Sequence, residues 1–173
     1  MNLAASRQRR EMMIQWFWRV FEGIVNAAAV ILFSAMVGVT TAGVFFRYVL
    51  NDALPWAEEA DRYLFIWLTF IGASITMRRK AHIAVDVLVR YFRPSLREWF
   101  ALLSEACALG FLAVVFWASG PVIEITSQTR ATATNIPISC VYLAAPVGCI
   151  LIGVETLRLM QQTWRKIRKG EKG

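Results

Sequence analysis

Histidine and cysteine are scarce in this 173-residue chain: one His, His82, and three Cys. They never gather at ligand spacing, so no zinc site is expected. A lone His also leaves no second imidazole for a bis-histidine haem. Phosphate-cradling glycine loops are absent, as are HExxH and GxSxG patterns. No catalytic constellation is visible, and the chain reads as a non-enzyme with no cofactor or metal of its own. Charge is sparse too, at 18%, below the roughly 25% usual for a soluble domain. Proline is limited to five residues, the first being Pro55.

What fills the chain instead is apolar: 57% of residues are hydrophobic, and the mean hydropathy is +0.48. Four long apolar stretches stand out, Phe21–Phe46, Tyr63–Met77, Trp99–Pro121 and Ile136–Met160. A spanning helix needs about 20 such residues. The second stretch has 15, but a helix beginning at Pro55, a favoured first-turn residue, would be long enough. Its first two turns would then lie among the headgroups. The fold class expected is an all-α integral membrane protein with four transmembrane helices, about 21–46, 55–77, 99–121 and 136–160. Short amphipathic interfacial helices accompany them, and residues 1–173 form a single domain. The N-terminal apolar run is too long for a signal-peptide core and reads as an uncleaved first span.

Basic residues set the orientation. Arg7, Arg9, Arg10 and Arg19 precede the first span. Arg78, Arg79, Lys80, Arg90, Arg93 and Arg97 lie between the second and third. Arg158, Arg165, Lys166, Arg168, Lys169 and Lys172 end the chain. Only Arg47, Arg62 and Arg130 fall on the other side. The positive-inside rule therefore predicts cytoplasmic termini. The net charge of +7 reads as topology and contact with membrane phospholipids rather than nucleic-acid binding.

Trp16, Phe17 and Trp18 beside Arg19 suggest an interfacial helix over residues 1–20. Ser34, Gly38 and Ala42 form a small-residue row on helix one that permits close helix approach. Thr69, Gly72, Ala73 and Thr76 repeat the theme on helix two. Ile83–Phe92 is amphipathic and reads as a surface helix, and Ser95 to Glu98 makes a capping-box pattern. Pro146 is expected to kink the last helix. Cys107, Cys140 and Cys149 all fall in apolar spans and read as packing residues.

Four motifs occur in order: Arg47-Tyr48; Pro55-Trp56-Ala-Glu58-Glu59-Ala-Asp61-Arg62; Trp67 with Gly72-Ala73; and His82-Ile-Ala-Val-Asp86. Ile136-Pro137, Tyr142 and Pro146-Val-Gly148 follow downstream. Together they resemble the small membrane subunit, DctQ-like, of tripartite ATP-independent periplasmic (TRAP) transporters. The resemblance covers about Gly38 to Gly153, and Ala81 stands where the family usually has glycine. It implies an accessory subunit of a sodium-coupled importer of organic acids such as C4-dicarboxylates or sialic acid. It also implies a bacterial inner-membrane location, a large DctM-like membrane subunit and a periplasmic solute-binding protein as partners, with the sodium ions held by the large subunit. The alternative reading is a stand-alone four-helix transporter acting as a homodimer.

Under that resemblance Arg47, Tyr48, Trp56, Glu58, Glu59 and Arg62 are candidates for a partner or docking interface. Arg47 is placed to pair with one of the acids, and a Glu58–Arg62 helix pair is the bland alternative. Ser34, Gly38, Ala42, Trp67, Gly72 and Ala73 are candidates for packing against the large subunit. His82 and Asp86 make a candidate cytoplasmic staple. Asn26, Glu105 and Glu155 are candidates for an intramembrane polar layer with Arg158 nearby, since an ionisable residue in a span demands a role.

Overall fold

The structure is a computed structural model that describes residues 2–78 and 94–169. The surface helix expected over Ile83–Phe92 and the His82–Asp86 staple fall outside the described residues, as do the Ser95 and Glu98 side chains. Every described element is helical: α1 Asn2–Tyr48, α2 Pro55–Arg78, α3 Pro94–Thr126, the single turn α4 Ser139–Tyr142, and α5 Ala144–Lys169.

The interfacial helix expected over residues 1–20 is not a separate element. α1 runs unbroken for 47 residues, about 70 Å at the helical rise. No proline precedes Pro55, so nothing removes a backbone donor to end the helix early. It ends where Asn51 enters the left-handed region (φ 52°), which Asn tolerates better than most residues. The Asp52 N–H then reaches back to the Phe46 carbonyl at 3.1 Å. α2 starts at Pro55, as its sequence implies.

The last helix is split rather than kinked. Pro146 has no N–H for the Tyr142 carbonyl, and the chain divides at Leu143 into α4 and α5. Pro146 thus lies in the first turn of α5, where a missing donor costs little.

Among the described residues, three helical stretches are long and apolar enough to cross a membrane: Gln15–Tyr48, Trp99–Thr126 and Ser139–Arg165. In α2 the charges Glu58, Glu59, Asp61 and Arg62 occupy the first two turns and leave Tyr63–Met77 as the apolar part.

The helices pack as a row rather than a closed bundle. α2 lies against α1 on one side and α5 on the other, and α3 lies against α5. The tight seam is α2–α5. A Cβ added to Gly148 would collide with the Phe70 ring, and Ser74 on α2 and Ala144, Cys149 and Thr156 on α5 are buried. The α1–α2 seam narrows at Gly43, where an added Cβ would stand 3.4 Å from the Ala57 Cβ. The outer helices are bare: none of the apolar window of α1 is buried, against 33% of that of the Ser139–Arg165 stretch. Of the three cysteines only Cys149 is buried; Cys107 and Cys140 face outward, so they are not packing residues within this chain.

Candidate functional site

Polar side chains collect at the two ends of the row. At the end where α2 finishes and α5 approaches its C-terminus, five residues from three helices interlock. Arg78 closes α2 and stands between α1 and α5. Its Nη2 donates to Asn26 Oδ1 at 3.2 Å. It lies 3.6 Å from Glu22 Oε2 through Nη1 and 3.6 Å from Glu155 Oε1 through Nε. Arg158, one turn beyond Glu155 on α5, donates to Glu22 Oε1 at 2.7 Å and lies 3.9 Å from Glu155 Oε2. Its guanidinium also covers the Trp18 ring, 4.4 Å from the centroid, a cation–π arrangement.

The two guanidinium groups balance the two carboxylates. Glu155 is 3% exposed at its side chain, so the compensation is needed: an unpaired charge at such depth would be costly. Glu22 and Asn26 share a face of α1 at i,i+4 spacing, and Glu155 and Arg158 share one of α5 at i,i+3. The cluster therefore ties α1, α2 and α5 together at one level.

The three residues expected to form an intramembrane polar layer fall in two places. Asn26 and Glu155 meet through Arg78, with Arg158 beside them. Glu105 lies elsewhere: its Oε1 is 3.2 Å from Thr163 Oγ1, two turns farther along α5, a hydroxyl also 3.1 Å from the Leu159 carbonyl, so α3 meets α5 there through one shared proton. Glu22 and Arg78 were not singled out from the sequence. The Glu22–Asn26 and Glu155–Arg158 spacings were the signal available for them.

At the opposite end, the α1–α2 turn and residues 127–138 come together. Arg47 pairs with Glu58 across the turn, so Glu58 takes Arg47 rather than Arg62 as its partner. Both are open to solvent, at 49% and 67% side-chain exposure. Tyr48, Trp56 and Arg62 are also exposed.

Glu59, one residue on, faces inward. Its carboxylate accepts from the Thr134 N–H at 2.9 Å, the Thr134 Oγ1 at 2.9 Å and the Ala133 N–H at 3.1 Å. That segment is already folded on itself. Ala131 N–H bonds to the Ile136 carbonyl at 2.9 Å and Ile138 N–H to Thr129 at 3.0 Å, with Asn135 at φ 55° making the turn. Arg130 closes it by donating to the Asn135 carbonyl at 3.2 Å. Of the six docking candidates, Glu59 is thus committed within the chain, and Arg47 and Glu58 are committed to each other but open.

Below this surface, Thr40 Oγ1 lies 2.9 Å from Asp61 Oδ2 and 2.8 Å from the Met36 carbonyl. Its single proton serves one acceptor at a time.

The small-residue candidates do not make the close helix contacts inside this chain. Ser34 and Gly38 are exposed, while Ala42, Trp67, Gly72 and Ala73 are half-buried. A Cβ added to Gly38 or Gly72 would meet nothing within 4 Å. The glycines that do admit a neighbour, Gly43 and Gly148, were not among the site candidates. A small residue in a helix says a neighbour is possible; it does not say which face receives one.

The family described as "Tripartite ATP-independent periplasmic transporters, DctQ component" matches residues 36–169. The chain is similar to the C4-dicarboxylate TRAP transporter small permease protein DctQ of Vibrio cholerae, 29% identical over 88% of this chain and 76% of that one. It is similar to the isethionate TRAP transporter permease protein DctMQ of Oleidesulfovibrio alaskensis, 24% identical over 95% of this chain but 26% of the relative. A sialic acid TRAP transporter small permease protein, SiaQ of Vibrio cholerae, is 30% identical over 39% of each chain.

Proposed function

This chain belongs to the DctQ component family of tripartite ATP-independent periplasmic transporters and is membrane-embedded, and from that premise we propose that it is the small accessory subunit of a sodium-coupled, binding-protein-dependent importer of organic acids. Its task is to brace a large DctM-like transport subunit in the bacterial inner membrane. The sodium and solute sites belong to that partner, and this chain needs no cofactor. The solute is an organic acid of the C4-dicarboxylate or sialic acid kind, two of the solute types named among its small-permease relatives, which also include ectoine.

The observation that carries this reading is the row of helices with bare outer faces. Phe33, Val37 and Val44 on α1 and Phe111, Val114 and Trp117 on α3 are exposed, which suits a chain laid against a larger membrane body. The similarity to DctMQ, a permease protein of which this chain spans about a quarter, supports the same view. Substrate sites at mid-membrane are typically built from helices unwound at that depth. Here the interruptions, Pro121 within α3 and the break at Leu143, lie near the end that holds residues 127–138.

In this reading α2 is a fourth span and both termini are cytoplasmic, as the basic residues indicate. The end bearing Arg47, Tyr48, Trp56, Glu58 and Arg62 then faces the periplasm, where the solute-binding protein lands.

Two measurements test the reading. The tagged chain, co-expressed with a large subunit, is expected to retain it through detergent purification; recovery as a self-dimer would favour the stand-alone transporter. Cysteines placed at Asn51 and Thr132 are expected to react with an impermeant thiol reagent from the periplasmic side. Reaction only after permeabilisation would invert the topology.

A further inference from the structure

The backbones of α1 and α5 never come within 8 Å of each other, Cα to Cα, among the described residues. Only side chains bridge them, Arg158 to Glu22 and Arg158 over Trp18. Around that bridge lies a groove of about 710 Å³ lined by both helices, within the range of about 300–1,000 Å³ that holds small molecules.

Its lining is asymmetric. Arg19 from α1 and Arg165 from α5 both line it, together with Arg158. Gln161 adds an amide donor, Trp18 an aromatic face, and Leu157 an apolar wall that is 44% exposed. Glu22, the one acid in the lining, already accepts from Arg158 and faces Arg78. Among the described residues neither Arg19 nor Arg165 is paired with a carboxylate. The groove therefore offers two uncommitted guanidinium groups, polar donors and an apolar side, at the level where the spans meet the headgroups.

Guanidinium forks match phosphate oxygens. Tryptophan favours the boundary between headgroup and acyl chain. An exposed leucine on the membrane side suits a hydrocarbon tail. We propose that this groove is a binding site for one anionic phospholipid, whose phosphate lies between Arg19 and Arg165 and whose acyl chain lies along Leu157. The occupant joins α1 to α5 where no backbone contact does. The proposal does not depend on which side of the membrane the groove faces, nor on what the complex transports.

The test uses the full-length chain co-purified with its large partner in detergent. Thermal stability is measured against added dioctanoyl phosphatidylglycerol, dioctanoyl phosphatidylcholine and inorganic phosphate. Phosphatidylglycerol is expected to raise the melting temperature saturably, with the other two far weaker. The double variant R19Q/R165Q is expected to weaken the apparent affinity by about tenfold or more, since each basic residue near anionic lipid contributes substantially. The variant R19K/R165K keeps the charge but loses the forked geometry; it is expected to respond better than R19Q/R165Q and less well than the parent chain, and so separates lost charge from misfolding. R168Q removes a cation from the same helix but outside the groove and is expected to change little.

Four results would overturn the proposal: no stabilisation by phosphatidylglycerol; equal stabilisation by phosphatidylcholine; equal stabilisation by inorganic phosphate, which would make the groove a free-anion site; or R168Q weakening the response as much as R19Q/R165Q, which would reduce it to diffuse attraction between a basic surface and acidic lipid.

Discussion

The two ends of the helix row use their charged residues in opposite ways. At one end, Glu22, Arg78, Glu155 and Arg158 turn toward one another across three helices, and Glu155 is withdrawn from solvent. At the other, Arg47 and Glu58 form one pair on the surface, while Glu59 turns inward to hold residues 133–134 and Asp61 faces Thr40 of α1. The first end is a weld; the second is a platform with an anchored loop. The difference follows from where partners come from. Buried ions must find compensation inside the chain, because solvent supplies none. Surface ions contribute little to folding and remain open to approach by another molecule.

The largest expected effect tests the weld. Arg78→Met removes the cation shared by Glu22 and Glu155. Breaking a buried pair by deleting one partner typically costs about 3–5 kcal/mol, so the purified chain should lose most of its folded fraction in a thermal melt. The double variant Arg78→Met/Glu155→Leu should recover much of that loss, because an apolar replacement of both partners is often close to neutral. If it melts as low as the single variant, the cluster is not held by charge compensation.

Next comes a contrast between glycines. Gly148→Leu drives bulk into Phe70 and should destabilise the chain itself, by about 1–3 kcal/mol or more for overpacking. A Cβ at Gly72 meets nothing within 4 Å, so Gly72→Leu should change the chain's melt far less while reducing recovery of the large subunit. Equal loss of stability in both would mean the Gly72 face is an internal seam.

The two acids of the platform should also separate. Glu59→Gln weakens the anchor of residues 133–134. Labelling of a cysteine at Thr132 should accelerate several-fold, with little change in the melt. Glu58→Lys should spare both stability and recovery of the large subunit but reduce solute uptake in a salt-sensitive way, since surface charge acts mainly on encounter. A swap, Arg47→Glu with Glu58→Arg, restores the pair; uptake that returns with it would show that the pair matters as a pair rather than as a landing charge.

Much of this architecture was legible in the chain. Apolar length marked the helices, Pro55 marked the start of α2, and Arg47 was recognisable as a partner for the acids because a short turn brings them together. The Glu59 anchor was not legible, because its partners lie 74 and 75 residues away and no periodicity links them. Arg78 was counted as one of many basic residues flanking a span. Its place between two carboxylates depends on the rotation of three helices, which hydropathy does not encode. The continuity of α1 was inferable from the absence of proline, but the aromatic cluster at Trp16–Trp18 drew attention to the interface instead. Trp18 in fact packs under Arg158.

The central claim is that this chain supports transport without carrying solute. The direct measurement is solute uptake into sodium-loaded and sodium-free liposomes holding this chain alone, the large subunit alone, or both, with the binding protein supplied outside. The account predicts sodium-dependent uptake only when both membrane subunits are present, and none above empty liposomes for this chain by itself. Sustained uptake by this chain alone would contradict it.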